Sequence, residues 1–370
     1  MSVAGFVTEA GTERYRQRHA TCHPEHFRRL QNAWVSSLGL GTYLGDPDDA
    51  TDRLYAEAIE TALLNGINLL DTAINYRCQR SERVIGEVLE RLIGAGSLAR
   101  DEVIVCTKGG YVPFDTHEPR DLGRYLLETF LEPGLIAYEE LVAGCHCLAP
   151  RYLEHQLTTS LKNLRLETID VYYLHNPEQQ LEEVSRETFL ARMTEAFRLL
   201  ERKVHDGSIR WYGTATWNGY RANPQQADYL SLTTLLELAQ RVGGESHHFR
   251  VIQLPYNLSM PEALVFKNQP VDHSMTSVLE IASTAGLSVI SSASLLQSRL
   301  SQVPTSLHRY LPGVRSDPQR AIQFVRSTPG ITAALVGMKQ RRHVEENLEV
   351  AQAAPLSAEQ ITQLFTRRTR

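Results

Sequence analysis

Short apolar runs alternate along this chain with longer stretches in which apolar residues recur every three or four positions. The runs fall at residues 37–42, 67–71, 102–107, 169–174, 209–213, 250–254, 287–291 and 331–336. Several are β-branched and continuously apolar, the pattern of parallel strands covered on both faces. Between them, Leu54, Ala58, Ala62 and Leu63 define one helical face, and Val84, Val88 and Leu92 a second. Leu153, Leu157, Leu161 and Leu164 define a third, and Phe189, Met193, Phe197, Leu200 and Val204 a fourth. Further helical faces follow around Leu232–Ala239, Val278–Ala282, Ala321–Val325 and Val344–Ala351.

Parallel strands need crossover connections, and eight right-handed strand–helix units close into a (β/α)8 TIM-type barrel. An open doubly wound sheet is the alternative, weakened because no G-x-G-x-x-G follows the first strand. The expected organisation is an N-terminal extension, residues 1–32, and one barrel domain, residues 33–370. The patchy Arg and His content of 1–32 predicts a surface segment. An insertion at about 109–150 separates the third strand from its helix and contains "RYLLETFLEPGLIAYEELVAG", a stretch with helical character of its own. Because it follows a strand's C-terminal end, it belongs on the face where barrel active sites lie. Residues 302–318 form a second long connection.

Composition narrows the function classes. Of 370 residues 42% are hydrophobic and 22% charged, an ordinary globular balance. A formal net charge of -5 gives no basic field for nucleic acid. No apolar run approaches the roughly 20 residues that span a bilayer. The cysteines at 22, 78, 106, 145 and 147 are odd in number and lack disulfide-like spacing, which predicts a reducing, cytoplasmic setting. "GCHCLAP" at 144–150 offers zinc-type ligands, but Cys-x-Cys lacks the usual spacing and no second Cys pair exists, so no metal site is expected.

The chemistry concentrates at strand ends. Asp71 ends the second strand, Lys108 follows the third in "VIVCTKGG", and His175 ends the fourth in "IDVYYLHNP". Neighbouring parallel strands bring these ends to one face. Tyr76, in the loop after Asp71, can fold over the same spot. Singly, each has a bland explanation as a turn residue, a solvated cation, a core imidazole or a packing phenol. Together they make sense as a proton donor set, since an ammonium lowers a phenol's pKa and a carboxylate holds that ammonium.

The segments "SLGLGT", "INLLDTAINY", "SERVIGEVL", "VIVCTKGG", "IDVYYLHNP" and "LVGMKQRRHVEENL" resemble, in order, the signature segments of the aldo-keto reductase family, from about residue 33 to 352. The resemblance implies a (β/α)8 barrel, an NADPH (NADP+) cofactor and hydride transfer to an aldehyde or ketone, or the reverse. It implies Tyr76 as general acid, Lys108 as the group that tunes it, Asp71 as the partner of Lys108, and His175 as the group that orients the carbonyl. It also assigns Thr216, Gln253, Gly337, Met338, Lys339, His343 and Asn347 to the cofactor, with Lys339 or His343 near the 2′-phosphate and Asn347 near the adenine. Lys339, Arg341, Arg342 and His343 precede or open a helix, where cations oppose the helix dipole unless an anion is bound.

Two segments depart from the family pattern. "GTATWNG" puts Ala215 and Thr216 where a Ser-Asn pair is usual, and "SSASL" puts Ser292 where an aromatic stacks on nicotinamide. Trp217 is a candidate substitute ring. A third departure is "RCQR" after Tyr76, whose Arg77 and Arg80 either shape an anionic substrate's entrance or pack the neighbouring insertion. Two other function classes remain open: a nucleotide-binding barrel that senses or assembles without turnover, and a barrel using the same tetrad for elimination or isomerisation. The expected partner is a small carbonyl or alcohol compound, with neither nucleic acid nor membrane, and the expected state is a monomer or homodimer.

Overall fold

The computed structural model describes residues 2–366; Met1 and residues 367–370, at the outer ends of the two expected segments, lie outside the described residues. The strands are β1 (Phe27–Leu30), β2 (Ala33–Ser36), β3 (Leu38–Gly41), β4 (Leu69–Asp71), β5 (Ile104–Gly109), β6 (Ile169–His175), β7 (Ile209–Ala215), β8 (Phe249–Pro255), β9 (Gln269–Val271), β10 (Ser274–Thr276), β11 (Ser288–Ser292) and β12 (Ala333–Gly337). Among the described residues eight parallel strands close into a barrel in the order β3-β4-β5-β6-β7-β8-β11-β12, with β12 pairing back to β3. β1–β2 and β9–β10 are antiparallel hairpins outside it.

The helices are α1 (Glu9–Arg18), α2 (Asp49–Leu64), α3 (Arg80–Gly94), α4 (Leu122–Leu126), α5 (Pro150–Leu164), α6 (Arg186–His205), α7 (Leu232–Gly243), α8 (Glu262–Val265), α9 (Val278–Thr284), α10 (Thr305–His308), α11 (Asp317–Ser327), α12 (Arg341–Gln352) and α13 (Ala358–Thr366). Their starts are legible as capping chemistry. Asp48 accepts from the Thr51 N–H, Ser185 from Thr188 and Ser231 from Thr234, and Pro150 sits in the first turn of α5. No described helix is long and apolar enough to cross a membrane.

Some boundaries and faces differ from the sequence expectation. Lys108 lies inside β5 rather than after it, and Glu102 belongs to the turn before it. On α2 the buried face is Tyr55, Ala58, Ile59, Ala62 and Leu63, while Leu54 is 37% exposed. One residue turns a helix by about 100°, so Tyr55 and Ile59, not Leu54, continue the stripe.

Part of the segment before the barrel is buried against it rather than exposed. Val7, Leu30, Ala33 and Val35 are buried against Ile104, Val171 and Val251, closing the barrel's N-terminal end. The Val7 N–H donates to Asp170 Oδ1 at 2.8 Å, and Arg100 pairs with the other carboxylate oxygen at 2.8 Å. Tyr15 on α1 is fully buried and donates to the Leu63 carbonyl at 2.7 Å. Each such aliphatic side chain contributes about 1.5–3 kcal/mol by leaving water. The hairpin β1–β2 runs through the expected junction at 32/33.

The insertion carries helix, as its pattern suggests: α4 continues into one wide turn, Leu127–Leu131, and a tight turn follows at Tyr138–Glu140. Phe114, Tyr125, Phe130 and Tyr152 meet edge to face in a chain that packs this segment on itself and on α5.

Candidate active site

The register of β4, β5 and β6 sets Asp71 beside Cys106, and Lys108 beside Tyr173. Side chains alternate along a strand, so Lys108 points inward while Thr107 points outward to Glu82. Lys108 Nζ lies 2.6 Å from Asp71 Oδ1, 2.7 Å from the Thr72 carbonyl and 3.3 Å from the Tyr76 hydroxyl. Its ammonium also lies 4.8 Å from the centre of the Tyr76 ring. The second Asp71 oxygen accepts from Gln253 Nε2 at 2.8 Å. The Tyr76 and His175 rings meet edge to face with centroids 5.8 Å apart. The structure therefore brings together all four residues of the expected tetrad.

Asp71, Tyr76 and His175 line a cleft of about 450 Å³ at the C-terminal end of the strands, and Lys108 is buried beneath Asp71 and Tyr76. Burial pushes the Asp71 carboxyl above the usual carboxylate range, and Lys108 and Gln253 offset part of that. Burial works against the Lys108 ammonium, but Asp71 and then Tyr76 outweigh it and hold its pKa above the usual lysine value. Burial raises the Tyr76 phenol, with Lys108 pulling the other way and Asp71 adding to the rise. Lys108 thus pulls the Tyr76 pKa down against the larger upward pull of burial. The ring remains partly open to the cleft, which tempers the effect of burial. Burial, then the Lys108 charge, then His146 hold His175 well below the usual histidine range, so it is neutral at physiological pH.

The expected cofactor residues divide. Gln253 and Gly337 line the cleft. Thr216 lies just behind it, its N–H bonded to the Gln253 carbonyl at 2.9 Å and its Oγ1 buried without a hydrogen-bond partner among the described residues. Met338 is fully buried in the core, so only its backbone is available to a ligand. Lys339 and His343 are half-buried near the start of α12, beside exposed Arg342, and none of the three has an ion pair among the described residues. Asn347 is buried on α12. Arg341, in contrast, is paired with Glu345 at 2.7 Å. Ser292 lines the cleft where a ring was expected, and Trp217 stands at its wall, 42% exposed.

Arg77 and Arg80 do not line the cleft. Arg77 is buried, donates to the Asp46 carbonyl at 3.0 Å and pairs with Asp52 at 2.5 Å; Arg80 pairs with Asp49 and Asp52. Both alternatives raised by the sequence, an anion entrance and packing of the insertion, give way to a clamp on the N-terminal end of α2. The clamp holds a left-handed turn at Arg77, Cys78 and Gln79, with φ of 49°, 54° and 67°. Each such non-glycine residue costs about 1–3 kcal/mol and persists only where its surroundings hold it.

Sequence reasoning missed several residues here. Tyr43, Asn75 and Ser294 line the cleft, and Asn75 Oδ1 and Ser294 Oγ are buried without hydrogen-bond partners among the described residues. Glu178 accepts from the N–H groups of Trp217, Asn218 and Gly219 at 2.6, 3.0 and 3.2 Å, fixing the loop that carries Trp217. Their only signal was position just past a strand end. His146 of "GCHCLAP" is fully buried and hydrogen-bonded through both ring nitrogens within the protein.

The model of the aldo/keto reductase family matches residues 37–230. The 6-dehydroglucose reductase of Novosphingobium aromaticivorans is 26% identical over 202 residues, which span 52% of this chain and only 52% of that protein. An uncharacterized oxidoreductase of Bacillus subtilis, YqkF, is 23% identical over 340 residues, 89% of this chain and 92% of the relative. Among solved structures, an aldo/keto reductase from Klebsiella pneumoniae in complex with NADP and acetate superposes with a TM-score of 0.60 at 20% identity, covering 92% of this chain and 94% of that one. The glycerol dehydrogenase of Gluconobacter oxydans gives 0.63 at 18% identity, covering 94% and 97%. At these identities the structural likeness is one of fold. The family match covers more than half of the chain and contains the strand ends that carry Asp71, Lys108 and His175, and on that ground the chain belongs to the aldo/keto reductase family.

Proposed function

We propose that this protein reduces an aldehyde or ketone to its alcohol with NADPH, or catalyses the reverse. The observation that carries the reading is the Lys108 ammonium, shared between Asp71 and the Tyr76 hydroxyl beneath an open cleft.

The residues present fit a nicotinamide nucleotide. Gln253 donates to Asp71 and keeps its amide oxygen for a carboxamide, and Thr216 Oγ1 and Ser294 Oγ await partners. Gly337 exposes backbone in the cleft, Lys339, Arg342 and His343, without ion pairs among the described residues, are available to phosphate, and Asn347 follows on the same helix. Two Klebsiella pneumoniae relatives of the same fold are described in complex with NADP or NADPH. When bound, NADPH supplies the hydride.

The chain's own side chains handle the carbonyl oxygen. Tyr76 retains its proton at neutral pH and gives it to that oxygen as negative charge develops there. The phenolate left behind is met by the Lys108 ammonium, which Asp71 keeps charged and in place. Neutral His175 offers a ring N–H to the same oxygen and fixes its approach.

The substrate is an uncharged carbonyl compound. Arg77 and Arg80 are turned to Asp52 and Asp49, and Lys108 is consumed by Asp71, while Tyr43, Tyr111 and Trp217 supply aromatic walls. Sugar aldehydes belong among the candidates, since one relative is named for a sugar substrate. A nucleotide-binding barrel without turnover is the second reading, favoured by Ala215 and Ser292 in place of the family's polar and aromatic groups.

One experiment separates them. The purified protein is titrated with NADPH by nicotinamide fluorescence, then offered neutral and anionic aldehydes and ketones. Binding followed by oxidation of NADPH with neutral substrates supports the reductase. Absence of binding sinks it, and binding without oxidation by any substrate favours the second reading.

A further inference from the structure

The insertion at 109–150 returns to the barrel it leaves. Its first and last residues pair as antiparallel chains: the Val112 N–H donates to the Cys145 carbonyl at 2.7 Å, and the Cys147 N–H to the Gly110 carbonyl at 2.9 Å. Tyr111 thereby faces His146 across the pair. Both touch the site. Tyr111 lines the cleft and meets the His175 ring edge to face at 5.0 Å. His146 Nε2 lies 2.8 Å from the His175 backbone oxygen.

The hydrogen bonds around His146 run in one direction. Arg192 on α6 can only donate, and its NH1 donates to Gln180 Oε1. That assigns the amide nitrogen of Gln180 to the other side, where it lies 2.8 Å from His146 Nδ1. Nδ1 must then accept, so the ring proton is on Nε2 and is donated to the His175 carbonyl. Arg192 also donates to the Glu139 carbonyl at 2.8 Å, tying the insertion's tight turn to the same chain.

We propose that Arg192, Gln180 and His146 form a one-way hydrogen-bond chain that positions His175, and that the insertion is therefore a working part of the active site. This rests on the reading of His175 as the group that orients the substrate carbonyl. The residues of the chain are positioning residues; Tyr111, which faces the cleft, is the insertion's contribution to specificity.

Three further features agree. Gly110 has φ +136°, and a Cβ there would meet His146 Nε2 at 2.8 Å and the His175 oxygen at 3.3 Å, so glycine is what leaves room for the contact. Asn176, next after His175, is left-handed with φ 43°, and its N–H donates to the Ala215 carbonyl at 2.6 Å. Its side chain donates to the Tyr111 hydroxyl at 3.2 Å, and that hydroxyl donates to Gln179 at 3.1 Å. The peptide that ends β6 is thus held from both sides in a strained turn. His146 and Gln180 are both fully buried, where a half-satisfied network is worse than none.

The test has two arms. Nitrogen NMR of the full-length protein reads the His146 tautomer: protonation on Nε2 at neutral pH is expected, and protonation on Nδ1 overturns the proposal whether or not the protein is a reductase. Kinetics reads the consequence. His146→Ala should lower kcat by about tenfold or more while NADPH affinity stays unchanged, and His146→Gln, whose amide can still donate to the carbonyl, should recover most of the loss. Should His146→Ala fail to fold, Gln180→Leu, which keeps the ring but frees its orientation, should show the same split. An unchanged kcat in these variants, or kcat and NADPH affinity falling together with no recovery in His146→Gln, overturns the positioning role. A wild-type protein that binds NADPH and turns over nothing defeats the reductase reading instead, and leaves the tautomer measurement to judge the chain.

Discussion

The Lys108 ammonium lies 2.6 Å from Asp71 Oδ1, with side chains only 1% and 5% exposed. A buried pair of this kind is costly to split. Lys108→Met should lower stability by about 3–5 kcal/mol in urea unfolding, because it strands a buried carboxylate. In that variant Asp71 takes up a proton in the folded state more readily than in the unfolded one, so stability should fall as pH rises from 4 toward neutrality. The double variant Asp71→Asn/Lys108→Met should lose less than the sum of the single losses. Additive losses would mean that the contact carries no coupling.

The Arg77 clamp gives a second prediction. Arg77→Met keeps the bulk but strands the Asp46 and Asp48 carbonyls and Asp52. The left-handed turn after Tyr76 should then relax, with a loss of about 2–3 kcal/mol and a slower turnover. A variant as stable and as fast as wild type would remove the clamp from the account.

Cofactor choice rests on the cations near the start of α12. Lys339→Met should weaken NADPH by about tenfold and leave NADH nearly untouched, with the difference shrinking at high salt. Equal effects on the two nucleotides would move the 2′-phosphate elsewhere.

His26 supplies a pH prediction away from the cleft. It is fully buried between Ser37 Oγ at 3.0 Å and the Gly66 carbonyl at 2.9 Å, and burial pulls its pKa down to about 3. An unfolded histidine titrates near ~6.5, so between that value and the folded pKa the unfolded chain binds more protons. Stability is therefore retained above this window and lost as pH falls through it, by up to about 1.4 kcal/mol per pH unit from this group. His26→Gln should flatten the decline between pH 6.5 and 4, as followed by urea midpoints. An unaltered slope would show that His26 does not contribute.

What the sequence made legible was periodic. The eight apolar runs located the barrel because parallel strands are buried on both faces, and the tetrad followed because their ends share one rim. The burial of the N-terminal segment was hidden: Val7, Tyr15, Phe27 and Leu30 are too scattered to show a helical or strand period, and their Arg-rich surroundings suggested a surface. Gln253 was read only as a cofactor ligand, since its bond to Asp71 crosses from β8 to β4, 182 residues apart. His146 was set aside with the cysteines around it, because its contact with His175 depends on a loop returning to its own origin. Arg77 and Arg80 were ambiguous for a related reason, as their carboxylate partners lie on a different strand–helix unit.

The central claim is that Tyr76 delivers the proton. It is tested most directly by single-turnover oxidation of bound NADPH by an accepted carbonyl substrate in wild type and Tyr76→Phe. The account predicts a rate lower by about 10²–10⁴ with NADPH affinity unchanged. A Tyr76→Phe rate equal to wild type would contradict it.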